Sequence, residues 1–312
     1  MICFLALFSS AASAFDGPLQ VRNQFSLFLP ADAPYLDTAS LGDSFSAGLS
    51  YSSVYLVRKS ADWETGIDLE IAELSLRFRK NIKDLIEVGA ELPVLSMNSG
   101  FLDGFINSYH DTFGFPDYGR SNRPDNKFLF HVKRKGKDIV KGQGGDIGMG
   151  DVRFTLKTPL LRGDPAVSAK ADIELPTGDA ETGYGNGSID TGVALLINKR
   201  LSGYFMSYVN AGIVFPSKFR GLDRINLREF LYAGTAVEAN VTKNLSLIGQ
   251  VFVQGSPLPE TGISEIDSTA VLLSLGGRYH SGDQSFEFSF TEDPNTSGAP
   301  DFTLNFSFRR KL

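Results

Sequence analysis

Charged side chains stand at every second position in several segments of the sequence, with apolar side chains between them. In the segment 166–176, for example, Lys170, Asp172 and Glu174 alternate with aliphatic residues. A strand places alternate side chains on opposite faces, so these charges share one face. Such a face could line a lumen and bind a polar solute, or it could meet water on a soluble protein. The candidate lumen-lining residues are Asp68, Glu70, Arg77, Arg79, Glu87, Glu91, Arg153, Lys157, Lys170, Asp172, Glu174, Asp190, Arg228, Glu238 and Glu287.

Residues that could perform covalent chemistry or hold a metal ion are sparse. The histidines, His110, His131 and His280, are far apart in the sequence. Ser108 lies beside His110, but such near neighbours in a helix do not converge on one site. The glycine-rich stretch 174–190 lacks the G-K-[ST] ending of a phosphate-binding loop. We therefore expect no catalytic residue, no cofactor and no metal site, and a lipid-acting barrel enzyme is a remote alternative.

The composition of the chain restricts its class. No internal stretch approaches the roughly 20 apolar residues that a membrane-spanning helix needs, and the mean hydropathy is -0.07. A transmembrane β-barrel is compatible with both observations, because only every second residue of its strands faces lipid. The net charge of -6 gives no indication of a nucleic-acid partner, since proteins that bind nucleic acids carry basic patches.

Residues 1–14 have the features of a secretory signal peptide. The segment 2–8 is apolar, and Ala12 and Ala14 frame a small-x-small cleavage site. The single cysteine, Cys3, lies within this segment, so the mature chain would hold no disulfide. Residues 15–43 contain a short strand-like run, and they could form a periplasmic lead-in, a further partial strand or a segment folded into the lumen.

From residue 44 onward the hydrophobic period is two, which predicts β-strands. Very short connections, such as those at 81–83, 162–164 and 281–283, alternate with longer connections rich in glycine, proline and aspartate. This alternation is typical of an outer-membrane barrel, with short periplasmic turns and longer outer loops. The sequence therefore predicts an all-β, antiparallel, up-and-down transmembrane barrel over residues 44–312. About twelve strands are expected, with about fourteen as the alternative count, and a soluble periplasmic β-sandwich is the competing fold.

Two features interrupt the regular meander. Residues 95–146 are too long for a plain loop, and their pattern predicts a helix near 101–113 and a hairpin turning at Gly136, placed together at the outer mouth. In the segment 66–80 the apolar residues change from one face of the strand to the other, which predicts a β-bulge near Ala72 and Glu73. The connection at 58–64 is counted among the long outer loops.

The final strand, "DFTLNFSFRRKL", carries four apolar residues on one face. It resembles the signal that outer-membrane barrels present to their assembly machinery. Asp301, Phe306 and Phe308 match that signal, and Thr303 stands where glycine is usual. More broadly, the stretches "GDVRFTLKTPLL" and "TEDPNTSGAPDFTLNFSF" resemble an uncharacterised family of Gram-negative outer-membrane barrel proteins. The resemblance implies an outer-membrane location, with lipid and the barrel assembly machinery as partners, and no established reaction.

The expected function follows from the predicted barrel. About twelve strands enclose room for either a narrow aqueous channel or a lumen filled by side chains. Because the lumen charges have both signs, we expect a passive pore or a binding channel for a small polar solute. The expected location is the outer membrane of a Gram-negative bacterium. A closed barrel with a structural or partner-binding role is the alternative.

Overall fold

The computed structural model describes residues 15–114 and 119–312, without the side chains at 109, 110, 113 and 121. The predicted signal peptide, residues 1–14, therefore lies outside the described residues. The strands are β1 (Ser44–Lys59), β2 (Trp63–Ile82), β3 (Ile86–Asn98), β4 (Leu129–Arg134), β5 (Lys137–Lys141), β6 (Ile147–Met149), β7 (Val152–Leu161), β8 (Ala166–Leu175), β9 (Asp190–Arg200), β10 (Phe205–Phe215), β11 (Lys218–Arg220), β12 (Arg224–Asn226), β13 (Phe230–Asn240), β14 (Leu245–Gln254), β15 (Ala270–Ser281), β16 (Gln284–Glu292) and β17 (Phe302–Lys311). The helices are α1 (Asp103–Phe113) and α2 (Ser264–Asp267), with a 3-10 turn at Arg120–Asn122. None of these helices has the length and apolar character needed to cross a membrane.

Long strands that neighbour each other in the sequence pair side by side into a closed antiparallel barrel. Twelve strands form its wall: β1, β2, β3, β7, β8, β9, β10, β13, β14, β15, β16 and β17. The ring closes where β1 pairs with β17, from Ser44 opposite Lys311 to Ser53 opposite Phe302. The first and last wall strands therefore share the end of the barrel that carries the short turns. The predicted all-β up-and-down barrel is confirmed.

The alternation of residue types decides which side chains face outward. On β8, Lys170 is buried, whereas Ile173 on the other face is 39% exposed. On β16 and β17 the outward stripe is aromatic, and the rings of Phe288 and Phe306 lie 4.9 Å apart across the strand pair. An apolar band outside a polar interior is the arrangement that a barrel needs in lipid.

The predicted bulge in β2 is wrong. β1 pairs with β2 in continuous register over the whole length of β1. Ile67 and Ile71 are fully buried on the inward face, whereas Leu74 and Phe78 are 40% and 46% exposed on the outward face. The apolar phase changes because the surroundings change. Near one end of β2 the inward face joins the apolar core, and farther along the outward face is part of the exposed apolar band. The connection at 58–64 is also shorter than predicted, since the two strands leave only residues 60–62 between them.

The insertion between β3 and β7 contains the predicted helix, α1, and the predicted hairpin, β4–β5, which turns at Gly136. The hairpin extends the wall beyond the barrel, because β4 pairs with the first residues of β2. The segment leading into α1 lies against the outward face of the wall, where the ring of Phe101 stacks on Tyr51 at 5.3 Å. Phe105 of α1 lies 5.8 Å from Phe302 of β17. The helix therefore covers the outside of the wall near its outer end.

Candidate functional site

Residues 15–43 occupy the interior of the barrel, and we name this segment the lumen plug. We call the end of the barrel that carries the short turns the periplasmic end, after the predicted topology. There, Lys311 Nζ donates a hydrogen bond to Asp16 Oδ1 at 2.5 Å. The plug then runs to the outer end, where Asn23 Nδ2 donates to the Gly298 carbonyl at 2.6 Å. After a turn it returns to the start of β1 at the periplasmic end. The segment therefore spans the barrel twice.

The plug fills the space that the wall encloses. Leu19, Phe28 and Leu36 of the plug are at most 1% exposed. A cavity beside it, bounded by Gln20 and Asn305 among others, has a volume of about 20 Å³, which is room for about one water molecule. Over the part of the chain that the structure describes, the interior is packed protein, because the plug takes the place of a water column.

Cationic wall residues surround the aromatic ring of Tyr35 on the returning arm of the plug. The ring centroid lies 4.8 Å from Arg77 Cζ, 5.2 Å from Lys170 Nζ and 5.8 Å from Arg153 Cζ. Tyr35 is 3% exposed. A cation within about 6 Å of a ring face is attracted by the ring quadrupole, more strongly where water is excluded. Three wall strands therefore hold the plug at one aromatic side chain.

Asp37, two residues after Tyr35, binds the wall nearer the periplasmic end. Its Oδ1 accepts a hydrogen bond from Arg79 Nη1 at 2.9 Å, and its Oδ2 lies 3.9 Å from Lys157 Nζ. Its amide donates to Asn210 Oδ1 at 2.7 Å, and Asn210 Nδ2 donates back to the Asp37 carbonyl at 3.1 Å. Both the carboxylate and the backbone of this plug residue are thus bound to the wall.

Two further plug charges pair with the wall nearer the outer end. Asp32 Oδ1 lies 2.6 Å from Arg153 Nη2, and the Asp32 amide donates to Glu174 Oε2 at 2.9 Å. Arg22 Nε donates to Glu73 Oε1 at 3.1 Å. Removing one partner of a buried ion pair costs about 3–5 kcal/mol, because the other charge is left buried alone. These pairs therefore fix the position of the plug in the barrel.

The plug begins in a hydrogen-bonded cluster on the wall. Arg278 donates to the Gly17 carbonyl at 2.8 Å, to Glu238 Oε1 at 2.6 Å and to Glu287 Oε1 at 3.0 Å. The Tyr208 hydroxyl donates to Glu238 Oε2 at 2.6 Å. Arg278 and Glu238 are fully buried. The cluster therefore binds the start of the plug to the wall, since the Gly17 carbonyl is one of the acceptors of Arg278.

Most of the predicted lumen residues have their side chains on the inward side of the wall. They are Arg77, Arg79, Glu87, Glu91, Arg153, Lys157, Lys170, Asp172, Glu174, Asp190, Glu238 and Glu287. Instead of open water, most of them meet the plug or one another, whereas Asp190 accepts from Asn186 and Ser217 of the outer connections. Arg228 lies in the connection before β13, where its Nε donates to the Leu258 carbonyl at 2.7 Å.

Asp68 and Glu70 lie on the outward face of the wall, contrary to their predicted lumen position. The unbroken register of β2 places them on the face opposite Glu73 and Arg77. Glu70 Oε1 accepts from the amide of Phe101 at 2.9 Å. Asp68 Oδ2 accepts from Arg123 Nε at 2.6 Å. The insertion therefore covers both carboxylates from outside, and we name it the outer cover.

Arg120 completes this outer cover. Its Nη1 lies 2.6 Å from Asp103 Oδ1, and its Nη2 pairs with Asp301 and donates to Ser53 Oγ at 3.2 Å. Asp301 of the predicted assembly signal thus lies in an ion pair beside the start of β17. Phe306 of the same signal is 52% exposed on the outward face, and the assembly role of these residues remains a prediction.

Reasoning from the sequence missed the plug side of this site. Arg22, Asp32, Tyr35 and Asp37 were not among the candidates, and neither was Glu73 on β2. A signal was present, because charged residues in the short segment 15–43 need partners if that segment is buried. Glu73 lies at the predicted bulge, where the alternation does not assign a face.

Across 15–114 and 119–312, no group of three or more His, Cys, Asp or Glu side chains is arranged to hold a metal ion. The remote lipid-acting alternative depends on Ser108 and His110, and the side chain at 110 lies outside the described residues.

Known proteins resemble the chain in family and in fold. The family model described as "Protein of unknown function (DUF3187)" matches residues 1–312. No curated protein matches the sequence. The fold is similar to the COG4313 outer membrane channel from Pseudomonas putida F1, with 13% identity and a TM-score of 0.58 over 87% of this chain and 96% of that chain. It is also similar to the NanC porin, with 8% identity and a TM-score of 0.51 over 87% of this chain and 100% of that chain. At such identities the likeness establishes the barrel fold alone.

Proposed function

The chain belongs to the DUF3187 family, whose function is unknown, and we propose that it is an outer-membrane channel for a small polar solute, closed at rest by the lumen plug. The fold that it shares with an outer-membrane channel and a porin supports the location and the class. The proposal assigns the closed state to residues 15–43. Conduction then requires that this segment leave part or all of the lumen.

One observation carries the proposal: the wall behind the plug is lined by charges. A permanently filled barrel would be at least as stable with an apolar interior, because buried ion pairs replaced by apolar residues are often neutral or stabilising. Charges such as Glu91 and Lys157 are solvated at little cost once water enters the lumen. A wall of this kind therefore suits an interior that is dry in one state and hydrated in another.

A closed barrel with a structural or partner-binding role is the second candidate. The observation that favours it is the number of hydrogen bonds and ion pairs holding the plug, from Asp16 at one end to Asn23 at the other. On this alternative the plug never leaves, and the barrel conducts nothing.

Conductance of the purified protein in planar bilayers separates the two candidates. We expect the complete chain to be silent apart from rare openings, and a variant lacking residues 17–40 to give sustained channel steps. A shift on heating in gel electrophoresis checks that each variant forms a folded barrel. A folded deletion variant without channel steps would overturn the channel proposal in favour of the structural barrel.

A cross-link in the complete chain tests the same proposal without a deletion. The Ser168 hydroxyl donates to the Ala39 carbonyl at 2.5 Å, so we choose positions 39 and 168 for a pair of cysteines that can be oxidised across the contact between plug and wall. Replacing Cys3 as well leaves no other thiol. The oxidised variant should lose the rare openings, and reduction should restore them. Openings that persist when the cross-link is complete would contradict a plug-closed channel.

A further inference from the structure

We propose that the wall site now occupied by Tyr35 and Asp37 of the plug binds a small aromatic carboxylate when the plug is withdrawn. The inference rests on the proposed channel function and names the class of solute that the channel would take. Its basis is that the plug presents an aromatic ring and a carboxylate to a set of wall cations. A permeating molecule that carries both groups can replace it there.

Arg79 is the wall cation that the plug alone neutralises. The other four cations of this region each have a carboxylate partner on the wall itself: Arg77 with Glu91 at 3.1 Å, Lys157 with Glu87 at 2.9 Å, Lys170 with Asp172 at 3.1 Å and Arg153 with Glu174 at 3.5 Å. Among the described residues, Arg79 forms an ion pair within 4.0 Å only with Asp37. When the plug leaves, a guanidinium is freed in the lumen. A guanidinium binds a carboxylate through parallel hydrogen bonds, which gives it a preference for that group.

The slot of the Tyr35 ring lies next to this guanidinium. Arg77 and Arg79 are two residues apart on β2, on the same inward face, and Arg77 is the cation nearest to the Tyr35 centroid, at 4.8 Å. Tyr35 and Asp37 are likewise two residues apart on the plug, which is about 7 Å along an extended chain. A ring with a carboxylate attached spans a similar length, so one small molecule can reach both positions.

A cation or a small zwitterion fits the vacated site less well. Withdrawal of the plug also frees a carboxylate, because Glu73 loses Arg22. Glu73 lies six positions from Arg79 on β2, which is about 20 Å along the strand. A small molecule bound at Arg79 therefore cannot reach Glu73. An ammonium group near the ring slot would meet Arg77 and Lys170, whose charges are balanced by Glu91 and Asp172. The slot therefore offers it no carboxylate that lacks a cation partner.

Blocking of the open channel tests the proposed solute class. The variant lacking residues 17–40 is recorded in planar bilayers with benzoate, with acetate, which lacks the ring, and with benzylamine, which carries the opposite charge. We expect benzoate to reduce the single-channel current at concentrations at least about tenfold lower than either control, since each control loses one of the two contacts. Equal or stronger block by benzylamine would overturn the inference.

Substitution of Arg79 assigns the block to this site. Arg79→Gln in the same variant should weaken the block by benzoate about tenfold and leave the block by benzylamine, which has no carboxylate, near its original value. The matched control is Arg310→Gln, whose arginine is 56% exposed and pairs with Asp283 at the periplasmic rim. Unchanged block in the Arg79 variant, or equal loss in both, would overturn the assignment. Channel steps without selective block would refute the solute class and leave the channel function standing, whereas a folded variant without steps would refute the channel function itself.

The complete chain offers a second measurement if the deletion variant fails to fold. A solute that competes with Tyr35 and Asp37 for the wall should favour the withdrawn state of the plug, because it binds that state alone. We therefore expect benzoate to raise the frequency of openings several-fold, and benzylamine at the same concentration to leave it unchanged. No difference between the two solutes would overturn the proposal.

Discussion

Two carboxylates three positions apart on β2 are covered by two different segments of the chain. Glu70 faces outward and accepts from the backbone leading into α1, whereas Glu73 faces the lumen and is bound by Arg22 of the plug. They are 1% and 2% exposed. Without the outer cover, Glu70 would face the lipid side of the wall; without the plug, Glu73 would face water. Because a charge on the lipid side is destabilising and a charge in a hydrated lumen is solvated, we expect the outer cover to stay on the wall, and on the proposed function it is the plug that moves.

Loss of the outer cover should have the largest effect on stability. Arg120→Ala leaves Asp103 and Asp301 without their shared cation, so we expect the free energy of unfolding to fall by about 3–5 kcal/mol. Arg22→Ala should cost less, about 1–2 kcal/mol, because on the proposed function the loosened plug admits water to Glu73, which is then not left buried alone. Urea unfolding of both variants in lipid vesicles measures the difference. A larger loss for the Arg22 variant would contradict the contrast between the two covers.

Replacing a glutamate by glutamine on each face of β2 should show which face controls channel opening. Glu73→Gln weakens the hold on Arg22 of the plug, so we expect channel openings to become about tenfold more frequent, as for a change of about 1.4 kcal/mol. Glu70→Gln is the matched control and should leave the opening frequency unchanged. Bilayer recordings of both variants give the comparison. More frequent openings in the Glu70 variant would show that the outer cover also controls the lumen.

The stability of the outer connection 177–187 should depend on pH, because its amides bind the carboxyl group of Asp151. Burial raises the pKa of this carboxyl to about 6, although it accepts from the amides of Gly178 at 2.7 Å and Asn186 at 2.9 Å. Since the pKa in the folded state lies above the unfolded value, protonation stabilises this region at acid pH, and that stabilisation is lost as the pH rises through about 6. We expect the amides of residues 177–187 to be several-fold better protected at about pH 5 than at about pH 8. Hydrogen exchange is measured on the unaltered protein and on Asp151→Asn, because the ratio of their exchange rates cancels the intrinsic pH dependence of exchange. A ratio that stays constant with pH would rule the effect out.

Breaking the exposed ion pair at the periplasmic end of the plug should have the smallest effect on stability and on channel opening. Lys311 is 50% exposed where it pairs with Asp16, and exposed pairs contribute about 0–1 kcal/mol. Lys311→Ala should therefore change the unfolding free energy by less than about 1 kcal/mol and raise the opening frequency only slightly. Urea unfolding and bilayer recordings check both expectations. An effect as large as that of Glu73→Gln would place the main hold on the plug at its periplasmic end.

The barrel was predictable because its strands obey a local rule. Segments such as 166–175 alternate so regularly that strand, face and neighbour follow from the sequence, and the helix and the hairpin of the insertion were likewise found from their own periods. Dependence on this local rule also explains the wrong prediction of a bulge in β2. A change of phase can reflect an extra residue or a change of environment, and the local pattern of Ile71 and Leu74 does not distinguish the two.

The candidate site was only half predictable. The wall cations Arg79 and Lys157 were identified, since their alternation with apolar residues marks the inward face. Their partner Asp37 was not, because nothing in the order of residues gives the distance between a segment at the start of the chain and strands more than forty residues later. Ion pairs of this kind are chosen by proximity in three dimensions.

The sequence by itself determined that this protein is a chain of antiparallel strands with one apolar and one charged face, since a strand has a period of two whatever surrounds it. The tertiary structure decided what each face meets. It placed the lumen plug against Arg79, Arg153 and Glu73, and the outer insertion against Glu70. The physical reason is that the energy of a buried charge depends on the groups within a few ångströms of it, and closing the barrel is what brings distant segments to that range.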